Sequence, residues 1–243
     1  MKNEKLISLA AVFGWFGAYL FISIISTGLP VGIDCAVTLI ALWGLVFVCA
    51  EKKTIPAMLA HGGINKVAPT VVLFAFLAGA GLNLAYSGLL PLLPIPEEII
   101  NSYTDASAQY VEPTNALMFK TVFLVPLLEE TVFRGLIGDR ISRFAPKWVA
   151  IPLASLIFAA MHGDPLWCAF AFISGVVLTW MYFRCKSILP CISFHIAFNA
   201  ANYLWAKILP LPDENWAYAV SLMIGLVLCL SAIFMLIRNS DSK

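Results

Sequence analysis

Hydrophobic residues run along this chain in long blocks rather than in alternation, and short polar stretches separate the blocks. A transmembrane helix needs about 20 apolar residues, with a range of roughly 17 to 25. By that measure the pattern predicts eight spans, near residues 6–26, 33–50, 67–92, 115–138, 147–162, 166–183, 187–207 and 216–237. The third span carries Gly79, Gly81 and Gly88, and the fifth is short. One substantial loop interrupts them, Pro94 to Thr114, which is acidic (Glu97, Glu98, Asp105, Glu112) and holds no Lys or Arg. The stretch Leu6 to Ser26 follows a basic N-terminus but is too long for a signal-peptide core and lacks a small-residue cleavage site. It is read as a retained first span. The expected fold is all-α, a polytopic transmembrane helical bundle forming a single membrane-embedded domain over residues 1–243, without internal repeats.

Composition supports this reading. The 243 residues are 61% hydrophobic and 12% charged, whereas soluble domains average about 45–50% apolar and about 25% charged. A sequence of this kind satisfies its backbone in lipid by closing a helical bundle. Net charge of +1 argues against nucleic acid and leaves membrane lipid as the surroundings. Lys2, Lys5, Lys52, Lys53, Lys66, Arg140, Arg143, Lys147, Arg184, Lys186, Arg238 and Lys243 fall at the termini or at every second loop. The positive-inside rule makes those ends cytoplasmic, both termini included. The protein is thus expected to be a multi-pass integral membrane protein, in the plasma membrane if bacterial. Lys120 and Lys207 depart from the pattern and are expected to snorkel to the outer interface. The six cysteines lack metal-ligand spacing and read as small buried hydrophobes.

Chemistry concentrates in three of the spans. Glu129 and Glu130 sit in an apolar helix, where ionisable residues face the bundle interior or a wet cavity and are functional by default. Glu130 and Arg134 stand at i and i+4, close enough to pair, which leaves Glu129 about 100° around the helix without a partner. That division makes Glu130 structural and Glu129 chemical. Pro126 removes a backbone hydrogen bond, frees the carbonyl of Val122 and predicts a kink that admits water. His162 lies in the last turn of its helix, because Gly163 is a natural C-cap and Pro165 prevents continuation. His195 and Asn199, again at i and i+4, share a face and could donate two hydrogen bonds to a developing oxyanion. At about 1.5 Å per residue, Glu129 and His195 lie at matching depths of roughly 14 and 12 Å from the cytoplasmic ends of their helices, with His162 deeper at about 20 Å.

The three elements, Glu129-Glu130-xxx-Arg134, Phe158-xxx-His162 and His195-xxx-Asn199, resemble the ordered signature of the CAAX protease and bacteriocin-processing family of intramembrane proteases. The resemblance covers roughly residues 115–207. It implies an intramembrane endopeptidase acting on a peptide or lipidated protein, with Glu129 activating water, His162 assisting, and His195 and Asn199 forming the oxyanion hole. Glu130 and Arg134 would be the supporting ion pair. The family's use of a metal is disputed: Glu129, His162 and His195 could hold zinc, while an Asn beside His195 favours a metal-free glutamate protease. The Phe- and Trp-rich sixth span, Leu166 to Phe183, is a candidate greasy wall for such a substrate. Two other functions compete: a proton-coupled transporter, disfavoured by the lack of inverted repeats and paired broken helices, and a non-catalytic family member acting in peptide immunity or scaffolding.

Overall fold

Each of the eight apolar runs holds a helix. The computed structural model describes residues 2–111, 113–208 and 212–240, with backbone alone at Lys2 and 206–208. The side-chain expectation for Lys207 and the charges of Glu112 and Lys243 therefore lie outside the described residues. Helix α1 (Lys2–Ser26) and α2 (Ile33–Cys49) form an antiparallel pair, and a short α3 (Ile55–His61) leads into α4 (Pro69–Leu89). After α5 (Glu97–Ser107) comes one continuous rod over residues 115–142. It is built from α6 (Asn115–Phe119), a π segment (Lys120–Leu124), α7 (Val125–Glu129), a second π segment (Glu130–Gly138) and α8 (Asp139–Ser142). Then follow α9 (Lys147–Ala159) with a 3-10 turn at Ala160–His162, α10 (Pro165–Cys185), α11 (Leu189–Ile208) and α12 (Asn215–Ser240). The described residues contain no strand.

Among the described residues, four helices are long and apolar enough to cross a membrane: Asn3–Ser26, Pro69–Leu92, Pro165–Cys185 and Asn215–Ser240. Ile33–Cys49 and Lys147–His162 are shorter apolar helices. The stretch from Pro94 to Thr114, read from sequence as a loop, is largely helical: α5 and a 3-10 turn, Ala108–Tyr110, occupy it. Helix α5 follows two prolines, starts with Glu97 and Glu98 where the helix dipole favours acids, and carries one apolar face. It is amphipathic, so no apolar run announces it.

Helix α4 is the buried centre, packed against α11 and α12. Its glycines permit this. A Cβ at Gly81 would collide with the backbone of Gly225 and Cys229, and one at Gly79 with the backbone of Phe194. Small residues that let helix backbones touch are the usual device of membrane bundles. Because Phe194 adjoins His195, this contact also fixes where α11 presents its chemistry.

The two ends of the bundle differ in charge. At one end, Arg140 meets His61 at 2.9 Å and Asp139 at 2.8 Å, while Asn65 donates to the Lys186 carbonyl at 2.6 Å. At the other, Lys120 pairs with Asp34 at 2.6 Å and Ser102 donates to Asp164 at 2.8 Å. Lys120 thus reaches an acid at the start of α2, a partner that the sequence reading did not supply.

Candidate active site

Pro126 lies in α7, between two π segments of the rod. Ahead of it the helix widens to π, with the Val125 N–H bonded to the Lys120 carbonyl, five residues back. In that register the next donor is Pro126, which has no N–H, so the carbonyl of Thr121 loses its helical partner. Asn199 from α11 donates to it through Nδ2 at 2.8 Å. Single-turn π elements cluster at functional sites because they re-aim side chains at a small cost in helix regularity. One amide proton of Asn199 is thereby committed to the rod, and one remains.

The second π segment begins at Glu130, and all nine of its residues are buried. Glu130 Oε1 accepts from Arg134 Nη1 at 2.9 Å, and their side chains are 0% and 1% exposed. The same oxygen lies 2.8 Å from His195 Nδ1. Glu130 therefore joins the rod to α11 as well as pairing with Arg134, a link absent from the sequence reading. Arg134 stacks its guanidinium 4.2 Å above the Phe158 ring, and its Nε and Nη2 have no hydrogen-bond partner among the described residues. Phe158 meets His162 edge-on at 4.8 Å between ring centres and His195 at 6.2 Å. One aromatic ring thus contacts the cation and both histidines. Phe158 was visible as the first residue of its motif, but its position as hub was not.

With Nδ1 facing Glu130, His195 turns Nε2 toward Glu129, 3.8 Å from Oε2. That gap exceeds a direct hydrogen bond. The Glu129 side chain is 18% exposed against 0% for Glu130, so adjacent carboxylates have opposite surroundings: one sealed and paired, one open. His162 sits on the 3-10 turn that ends α9, where Gly163 takes φ of 75°. Its Nδ1 lies 3.1 Å from the Phe158 carbonyl, and as donor there it leaves Nε2 available. Asp164 then caps α10 by accepting from the Leu166 and Trp167 amides. Glu129, His162, His195 and Asn199 all line one cavity of about 860 Å³, despite the greater depth estimated for His162. Trp167, Phe170 and Ala171 of α10 form part of its wall, with Tyr103 and Tyr110 across the mouth. No feature of the sequence pointed to the last two.

Among the described residues, no three His, Cys, Asp or Glu side chains are gathered so as to hold a metal ion. Glu129, His162 and His195 share the cavity but are not assembled as a zinc ligand set.

No curated protein and no solved structure matches the chain. Residues 112–201 match the family model described as Type II CAAX prenyl endopeptidase Rce1-like. This segment contains all three motifs and every cavity-lining acid, imidazole and amide named above, so in its core the chain is similar to the CAAX-type endopeptidases.

Proposed function

We propose that this chain is an eight-span intramembrane endopeptidase with both termini cytoplasmic, hydrolysing a peptide bond in a peptide or lipidated protein. One observation carries the reading. Glu129 and His195 Nε2 face each other 3.8 Å apart in an 860 Å³ cavity, with the other nitrogen of His195 tied to buried Glu130. The cavity has the size of an ordinary substrate pocket, which is typically about 300–1,000 Å³.

In the proposed reaction Glu129 takes a proton from water as the water oxygen attacks the scissile carbonyl carbon. His195 works with both nitrogens protonated: Nδ1–H goes to Glu130 and Nε2–H to the developing oxyanion, with the second amide proton of Asn199 as a further donor. When the C–N bond breaks, the proton held by Glu129 passes to the leaving nitrogen, and His162, through its free Nε2, assists that transfer. Proton and electron pair balance without another reactant. The runner-up is a proton relay for transport, and the buried Glu130, Arg134 and His195 are of the type such a relay uses; the absence of inverted repeats and paired broken helices from the sequence disfavours it.

Purified protein in detergent, given a panel of candidate peptides, tests this. Glu129→Gln should reduce cleavage at least about 100-fold, the low end for losing a general base, while the melting temperature stays that of wild type. Retained cleavage would remove the assignment. Elemental analysis runs alongside, and stoichiometric zinc that disappears in His195→Ala would overturn the metal-free chemistry.

A further inference from the structure

Toward one end of the bundle the cavity is lined by exposed and half-exposed residues, which make its mouth, and toward the other by buried Leu178 and Phe194, which make its floor. Its upper lining comes from Tyr103 and Ser107 of α5, from Tyr110, from Asn115 and Met118 at the start of the rod, and from Trp167 at the start of α10. Every one of these lies on the side of Glu129 toward the Pro94–Thr114 connection. On the opposite side the rod is sealed: residues Glu130 to Gly138 are all buried, and Leu178, Met181, Ile188 and Cys191 close around them at 0–1% exposure.

The sealed end is the basic one. Lys52, Lys53, Arg143 and Lys147 are exposed there, beside Arg140 and Lys186 in the contacts that bind the loops together. The mouth end carries exposed Glu97, Glu98 and Asp105 on α5. Its one described lysine, Lys120, is paired with Asp34. Basic residues in short loops set membrane orientation, and the end that carries them faces the cytoplasm. The open end therefore faces away from it.

We infer that the cavity is loaded from the extracytoplasmic side, and that its occupant is an apolar peptide segment presented on that face of the membrane, not a chain terminus in the cytoplasm. The occupant's chemistry rests on the peptidase reading above; the direction of access does not. The aromatic wall of Tyr103, Tyr110, Trp167 and Phe170 accepts apolar side chains. The exposed acids on α5 repel an acidic segment and favour a neutral or basic one.

Two measurements on the full chain in a bacterial host separate these layers. Ser107→Cys places a thiol in the mouth, and Ala145→Cys places one in the turn between α8 and α9 at the basic end. Labelling with a membrane-impermeant maleimide is compared between intact spheroplasts and opened membranes, with wild type setting the background from its six native cysteines. Ser107→Cys should label in intact spheroplasts to within about twofold of its level in opened membranes, and Ala145→Cys only after opening. Protection of Ser107→Cys in intact spheroplasts, with Ala145→Cys accessible, would overturn the inference. The second measurement presents one apolar reporter segment on either face of the membrane as a fusion. Cleavage confined to the outer face supports the inference, and cleavage of the inner-face fusion overturns it. Failure to cut either removes the peptidase reading, while the labelling still decides the direction of access.

Discussion

Arg134 is the position where removing one side chain should cost the fold most. Its guanidinium is 1% exposed, bonded at 2.9 Å to a carboxylate that is 0% exposed, and stacked 4.2 Å over Phe158. Arg134→Ala deletes the cation and strands Glu130 among buried apolar groups. Breaking a buried pair from one side costs about 3–5 kcal/mol, which is roughly a 10²- to 10⁴-fold shift in the folding equilibrium at about 1.4 kcal/mol per decade. The stacking adds about 0.5–2 kcal/mol. The seven tryptophans supply the signal for thermal unfolding in detergent. The decisive comparison is the double variant Glu130→Gln with Arg134→Met. It removes both buried charges at nearly constant volume, so stability should recover most of the loss, since replacing a buried pair by neutral groups is often close to neutral. Activity should not recover with it. His195 Nδ1 then faces an uncharged amide, and cleavage is expected to stay at least about tenfold below wild type, since hydrogen bonds to an ionised partner are roughly twice as strong as neutral ones. If Arg134→Ala melts like wild type, the pair contributes nothing. If the double variant regains full activity, Glu130 does not orient His195.

Asn199→Ala should lower both stability and turnover: an unpaired Thr121 carbonyl costs about 1–3 kcal/mol, and loss of an oxyanion donor costs roughly 10²–10³ in rate. A rate loss with an unchanged melting temperature would mean that the bond to Thr121 carries no weight. Asp164→Ala should cost about 0.5–2 kcal/mol as a lost N-cap and, by cutting the 2.8 Å bond from Ser102, loosen α5 over the cavity mouth. Faster amide exchange in residues 97–107 is the expected readout, and exchange unchanged there would show that α5 is held by other contacts.

What was legible in the sequence follows from what acts over short range. Long apolar runs show directly in the sequence, so the helices that fill all eight could be located to within a few residues, and Gly163 with Pro165 marked the end of α9. Helix α5 escaped because its apolar residues lie on one face only and leave no run to notice. The π segments escaped for a different reason. A proline predicts a missing hydrogen bond, but which carbonyl is orphaned depends on the register ahead of it, and that register is tied to a side chain 78 residues away.

The site divides in the same way. The pairing of Glu130 with Arg134 is a matter of helical spacing and could be read from their i, i+4 separation. The bond from Glu130 to His195 spans 65 residues, and it changes what the adjacent glutamates mean. Spacing alone makes Glu130 a counter-ion and leaves Glu129 alone. With His195 in place, the buried carboxylate holds one nitrogen of an imidazole whose other nitrogen faces the partly exposed carboxylate. The two glutamates then act through the same ring from opposite sides. Phe158 closes the arrangement by filling the space between Arg134, His162 and His195 with a ring that offers no competing hydrogen bond. An apolar hub is what allows three polar groups to sit close together beside the cavity without bonding to one another, while Glu129 and His162 line the cavity itself.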